Sequence, residues 1–225
     1  VYYIADFWQD FENALYAKDG YNDKGKYYTD YIDLESFADQ WLFYELNEEN
    51  SVNSSVYYYK DSDTCGDGKL HASWPWDMEH SLAREGGAAS SWFAAASDLK
   101  PEGYWMQFYH HRDFAEAVYK EWMTKFVPAL EKALNPETGY DPDGISSLDW
   151  YLDYYGTDAQ INETRWNGSD FAEKLEKIRR IYTVRLEFLT ETLGLYDTDY
   201  IYFYKENGIL YGVNAQEESI PVENP

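Results

Sequence analysis

Asp33-Leu-Glu-Ser-Phe-Ala-Asp-Gln-Trp-Leu-Phe-Tyr-Glu-Leu-Asn-Glu-Glu-Asn50 is the stretch on which the fold turns. Asp33 is a helix N-cap, and Leu34, Phe37, Ala38, Trp41 and Leu42 recur at the spacing of a buried helical stripe. Glu45, Asn47 and Glu48 fall at or just past the C-terminal end. Carboxylates there oppose the helix dipole, so something cationic is expected to compensate for them.

Upstream, residues 6–17 place Phe7, Phe11, Ala14 and Leu15 on one face of a short helix with an acidic start, and a polar loop runs from Lys18 to Thr29. Downstream the pattern changes. Val56-Tyr-Tyr-Tyr59 and Leu70-His-Ala-Ser-Trp74 read as two strands of a hairpin, joined by the turn-rich Lys60 to Lys69. The second strand runs into Pro75-Trp76-Asp77-Met78-Glu79, and a small-residue loop, Gly86 to Ser91, has the composition of a mobile or ligand-wrapping segment.

Helical spacing then dominates. One helix is expected from an Asp113 cap through Phe114, Val118, Trp122 and Phe126, ended or kinked by Pro128. A second carries Leu148, Tyr151, Leu152 and Tyr155. The longest begins at Ser169 and stops at Gly194. Asn207-Gly208 between two apolar runs predicts a tight hairpin, and the acidic, Pro-containing 216–225 reads as a linker toward another module. The fold class expected is α+β, mainly helical, with one inserted and one C-terminal β-hairpin.

Of the 225 residues, 44% are hydrophobic, enough for one sizeable core. A net charge of -24, from 42 acidic and 18 basic residues, repels phosphate backbones and anionic lipid. Nucleic acid and membrane surfaces are therefore not expected partners. The acidity fits solubility, cation binding or an extracellular or cell-surface setting. Cys65 is the sole cysteine, which excludes an intrachain disulfide. With 24 Tyr and 9 Trp, aromatics make up 20% of the chain. They fill a core or, on the surface, stack on sugar rings.

The helix ending Glu45-Leu-Asn-Glu-Glu-Asn50, the strand at Ser55-Val-Tyr57, Gly68-Lys-Leu70 and Trp76-Asp-Met-Glu79 form an ordered set. That set resembles the CotH (spore-coat protein) kinase family, in which an Asp-capped helix ends in Glu-Leu-x-x-Asn-x-Asp. Ser-x-Tyr-x-Tyr-Lys, Gly-Lys-Leu and Gly-Pro-x-Trp-Asp-Phe-Asp follow it there. Arg165-Trp166 and the long helix holding Arg185 look like the family's closing segments, so the resemblance spans about residues 6–194.

The resemblance implies the larger lobe of an atypical protein kinase over residues 1–194, with 195–215 as an appended hairpin. It also implies ATP bound through Mg²⁺, or through Ca²⁺ with its looser geometry. Asp77, Glu79 and Asn50 are the implied metal and nucleotide ligands; Asp and Glu two apart on a strand exit share a face. The family's catalytic Asp falls at Ser51, which is no base at neutral pH, so Glu48 or Glu49 would have to orient the attacking hydroxyl. The family's smaller lobe is not recognisable before Asp33, and an incomplete or degenerate kinase is expected, inactive as the isolated chain. The alternative is an extracellular carbohydrate-binding or interaction module of a polysaccharide-degrading assembly. Its partners are polysaccharide or protein, within a longer chain. The alternating acids of Asp61 to Asp67 and the pair His110-His111 are weaker metal signals; turn formation and helix capping account for them.

Overall fold

A computed structural model describes residues 2–49, 56–78, 81–82, 89–92, 104–166, 168, 170–214, 216 and 218–222. The fold is α+β, mainly helical, with two small antiparallel sheets. Helix α1 spans Tyr2–Leu15 and buries Phe11, Ala14 and Leu15, beginning earlier than the sequence pattern implies. A 3-10 turn, Tyr28–Asp30, leads into α2, Leu34–Asn47. Asp33 caps α2 as expected, its carboxylate accepting from the Ser36 N–H at 2.9 Å.

The first hairpin, β1 (Tyr58–Lys60) and β2 (Leu70–Ala72), is tied to the start of α2. Leu70 donates to the Tyr31 carbonyl, Asp33 donates to the Leu70 carbonyl, and Ala72 donates to Ser36 Oγ. The hairpin's inner face therefore packs on α2, with Tyr58 stacked on Phe37 at 5.1 Å.

Helices α3 (Tyr104–Tyr109) and α4 (Arg112–Glu121) follow. His111 occupies the cap position predicted for Asp113, and the Asp113 carboxylate instead accepts from the Tyr28 hydroxyl at 2.7 Å. Trp122–Phe126 form a π-turn, and α5, Val127–Leu134, continues directly from it with Pro128 in its first turn. Proline is tolerated there because it follows the widened turn closed by the Val127 N–H on the Trp122 carbonyl, where the regular i→i−4 ladder is already interrupted. The chain neither stops nor breaks.

Helix α6 (Leu148–Trp166) packs on α7, Phe171–Leu193, which is capped by Asp170 and ended by Gly194. The second sheet joins β3 (Tyr200–Glu206), β4 (Ile209–Asn214) and β5 (Ser219–Pro221). Asn207 and Gly208, at φ 52° and 79°, make the tight turn. Strand β5 corrects the linker reading of 216–225: residues 219–221 pair along β4. The appended hairpin also shares the main core, through Phe203, Leu210 and the Trp92–Phe203 ring contact.

That core is aromatic. Phe11, Phe37, Phe108 and Trp105 interlock around α2, and Trp41 meets Trp92 and Tyr109. Each fully buried ring of this kind contributes roughly 1.5–3 kcal/mol of transfer free energy. Most of the aromatic excess thus has a packing role. No described helix is long and apolar enough to cross a membrane.

Candidate functional site

Helix α2 ends in a pair of crossed hydrogen bonds, Glu49 N–H to the Tyr44 carbonyl and Glu48 N–H to the Glu45 carbonyl. This termination places one residue in the left-handed region, where glycine is the usual occupant. Here it is Glu48, at φ 55°. A side chain in that conformation costs of order 1 kcal/mol or more and is retained where the side chain has a use. The turn folds Glu45, Glu48 and Glu49 inward, and all three are fully buried.

The cation that this helix end requires is Arg185, from the middle of α7. Its Nη2 donates to both the Glu45 carbonyl and Glu45 Oε1 at 2.5 Å, and its Nη1 lies 3.9 Å from Glu48 Oε1. Nη1 also donates to the carbonyls of Ala89 and Ser91. The described end of the small-residue loop therefore wraps a guanidinium.

Asn47 holds the next layer. Its carbonyl accepts from Leu82 N–H at 2.7 Å, its side-chain oxygen accepts from the Tyr182 hydroxyl at 2.8 Å, and its amide donates to the Phe43 carbonyl. Ser81 Oγ donates to Glu49 Oε2 at 3.0 Å. The segment after Trp76-Asp77 is thus pinned against the helix end.

Asp77 is exposed, with φ 63°. Burial raises the Tyr44 hydroxyl pKa above its ordinary value; the Trp76 carbonyl hydrogen bond opposes this, and the charges of Glu49 and Asp77 add to it. The Tyr44 hydroxyl donates to the Trp76 carbonyl at 3.4 Å, so the β2 exit lies against the last turns of α2. Glu48, Asp77 and Leu82 are three of the four non-glycine residues with positive φ among those described, and all three lie around this helix end. Backbone strain concentrated at one place is characteristic of functional sites.

Of the candidates from sequence, Glu48 lies inside against Arg185, Glu49 lies at the Ser81 contact, and Asp77 lies at the surface. Asn50, Ser51 and Glu79 fall outside the described residues. Among the described residues, no three His, Cys, Asp or Glu side chains gather as a metal's ligand set. Sequence reasoning missed the roles of Asn47, Tyr182 and Ser81, whose partners lie far along the chain and leave no local signal.

No protein-family model, curated protein or solved structure matches the chain.

Proposed function

We propose that the chain is the larger, C-terminal lobe of an atypical protein kinase of the CotH type, addressing the metal of a metal–nucleotide complex through Asp77. The single observation that carries this reading is the hydrogen bond from the Tyr44 hydroxyl to the Trp76 carbonyl at 3.4 Å, which joins the strained end of α2 to the Trp76-Asp77 segment. That bond supports a reading in which the acids following α2 and Asp77 serve one site, since phosphoryl transfer needs hard oxygen ligands and an acid together.

The residues divide the work. Glu45 and Glu48 are committed to Arg185, so they brace the site. Glu49, which accepts from Ser81, takes the hydroxyl-orienting role in this reading, and Ser51 has no acid to offer. Asp77, with Glu79 and Asn50 by the family resemblance, would hold Mg²⁺ or Ca²⁺. A bound metal would neutralise phosphate charge. Without a second lobe to close over ATP, this lobe does not transfer phosphoryl groups to a protein substrate on its own. We place it outside the cell or at its surface, among other modules of a longer protein.

The test is electron paramagnetic resonance of Mn²⁺ with the protein, with and without ATP. Bound Mn²⁺ that disappears in Asp77→Ala supports the reading. No bound ion, or equal binding by Asp77→Ala, removes it.

A further inference from the structure

A second concave site lies round α2 from the acidic end. Ser36, Asp39, Gln40 and Phe43 recur at helical spacing and form its floor, about half a turn round from Glu45. Lys125, Phe126 and Ala129 from the π-turn and α5 make one wall. Tyr59 and Ala72-Ser-Trp-Pro75 of the first hairpin make the other. The cavity holds about 510 Å³.

Three features describe its occupant. First, Gln40 is only 4% exposed, and both its amide nitrogen and amide oxygen lack a partner among the described residues; Asp39 Oδ1 is also buried and unpartnered. Buried polar atoms are ordinarily paired. The occupant must offer donors and acceptors side by side, and rotation about the soft terminal torsion of Gln40 presents its amide to them. Second, the rim is aromatic: Trp74 and Tyr59 line the groove, Trp74 87% exposed and Tyr59 more than half exposed, and Tyr57 lies exposed two residues before Tyr59. Tyr57 and Tyr59 share the outer face of the hairpin, and Tyr57 touches Trp76 edge-on at 6.1 Å. Third, the charge of the lining is balanced: its one acid, Asp39, and its one base, Lys125, lie 2.7 Å apart, in a chain that is otherwise strongly acidic. A neutral occupant suits it, and a polyanion does not.

We propose that this groove binds a neutral polysaccharide, with pyranose faces on Trp74 and the Tyr57–Tyr59 rim and vicinal hydroxyls on Gln40 and Asp39. Vicinal hydroxyls supply donor and acceptor together, and the apolar face of a sugar ring covers indole without burying charge. This inference stands apart from the metal reading, since it uses a different face of α2 and no residue of the acidic end.

The experiment is native affinity electrophoresis in gels containing xyloglucan, mixed-linkage β-glucan or galactomannan. At least one is expected to retard the protein. Trp74→Ala weakens that binding about tenfold or more, as loss of an aromatic anchor does. Gln40→Met weakens it while raising the thermal midpoint, because the unpaired amide is gone; a purely structural Gln40 would not separate the two. Trp166→Ala, on exposed α6, leaves retardation unchanged. Absence of retardation on all three polymers, or full retardation of Trp74→Ala, overturns the proposal, as does a groove that takes only peptide.

Discussion

Arg185 and Glu45 are 140 positions apart in sequence, yet one guanidinium nitrogen donates to both the main-chain carbonyl and the carboxylate of Glu45. Neither side chain is exposed. The contact answers two needs at once. It satisfies a carbonyl in the last turn of α2 and neutralises an acid at the negative end of the helix dipole.

Replacing Arg185 by Met leaves Glu45 and Glu48 buried without this cation. A stability loss of about 3–5 kcal/mol is expected in urea unfolding. Adding Glu45→Gln to that variant restores part of the loss, which a double-mutant cycle measures.

Tyr182→Phe removes the hydroxyl that Asn47 accepts from, at 2.8 Å. The expected cost is about 1 kcal/mol. Because Asn47 also receives the Leu82 N–H, amide exchange at Leu82 should accelerate more than exchange in the middle of α7.

Asp77→Gly relaxes a left-handed residue that glycine occupies freely. Thermal unfolding should show a gain of up to about 1 kcal/mol. Under the proposed function the same change abolishes Mn²⁺ binding, so stability and binding move in opposite directions.

Several acids respond to pH in a common direction. The Asp63 carboxyl is held low by Lys60 and then Tyr3, Asp67 by the Lys69 N–H and then His71, and Asp141 by Lys132. Each gives up its proton more readily folded than unfolded. Their stabilisation is complete above the ordinary carboxylate pKa of about 4 and is lost as pH falls through the depressed values. The stability gap between the unchanged protein and Asp67→Asn should therefore be open near about pH 6 and close toward about pH 2. Asp39 runs the other way, since burial raises its pKa against the pull of Lys125.

Gly212 lies under Tyr200, and an added Cβ would meet that ring's Cγ at 2.4 Å. Gly212→Ala should cost about 1–3 kcal/mol and alter the near-ultraviolet dichroism of the second sheet.

The sequence made local devices legible. Asp33 and Ser36 needed only each other to start α2, and Asn207-Gly208 needed only its own backbone to turn. The Asp113 cap failed because the Tyr28 hydroxyl, 85 residues away, competes for that carboxylate. Pro128 misled because the π-turn before it has no periodic signature. At the candidate site, Glu48, Glu49 and Asp77 could be named from motif order, but the Arg185 and Tyr182 contacts are tertiary and have no local signal. The groove was hidden for the same reason: Gln40 is one polar residue on a helix, and only packing shows that its amide is unanswered.

The π-turn at Trp122–Phe126 holds one residue more than an α-turn. Deleting a single residue there would restore an unbroken α-helix whose faces beyond the turn stay where they are, because the wider turn has already absorbed the extra residue. Lys125 and Phe126 lie inside the turn and line the groove, so that wall would be rebuilt while α5 kept its packing. The site's shape is thus set by chain length at one point as much as by residue identity, and a one-codon gap in that turn would mark relatives that have lost it.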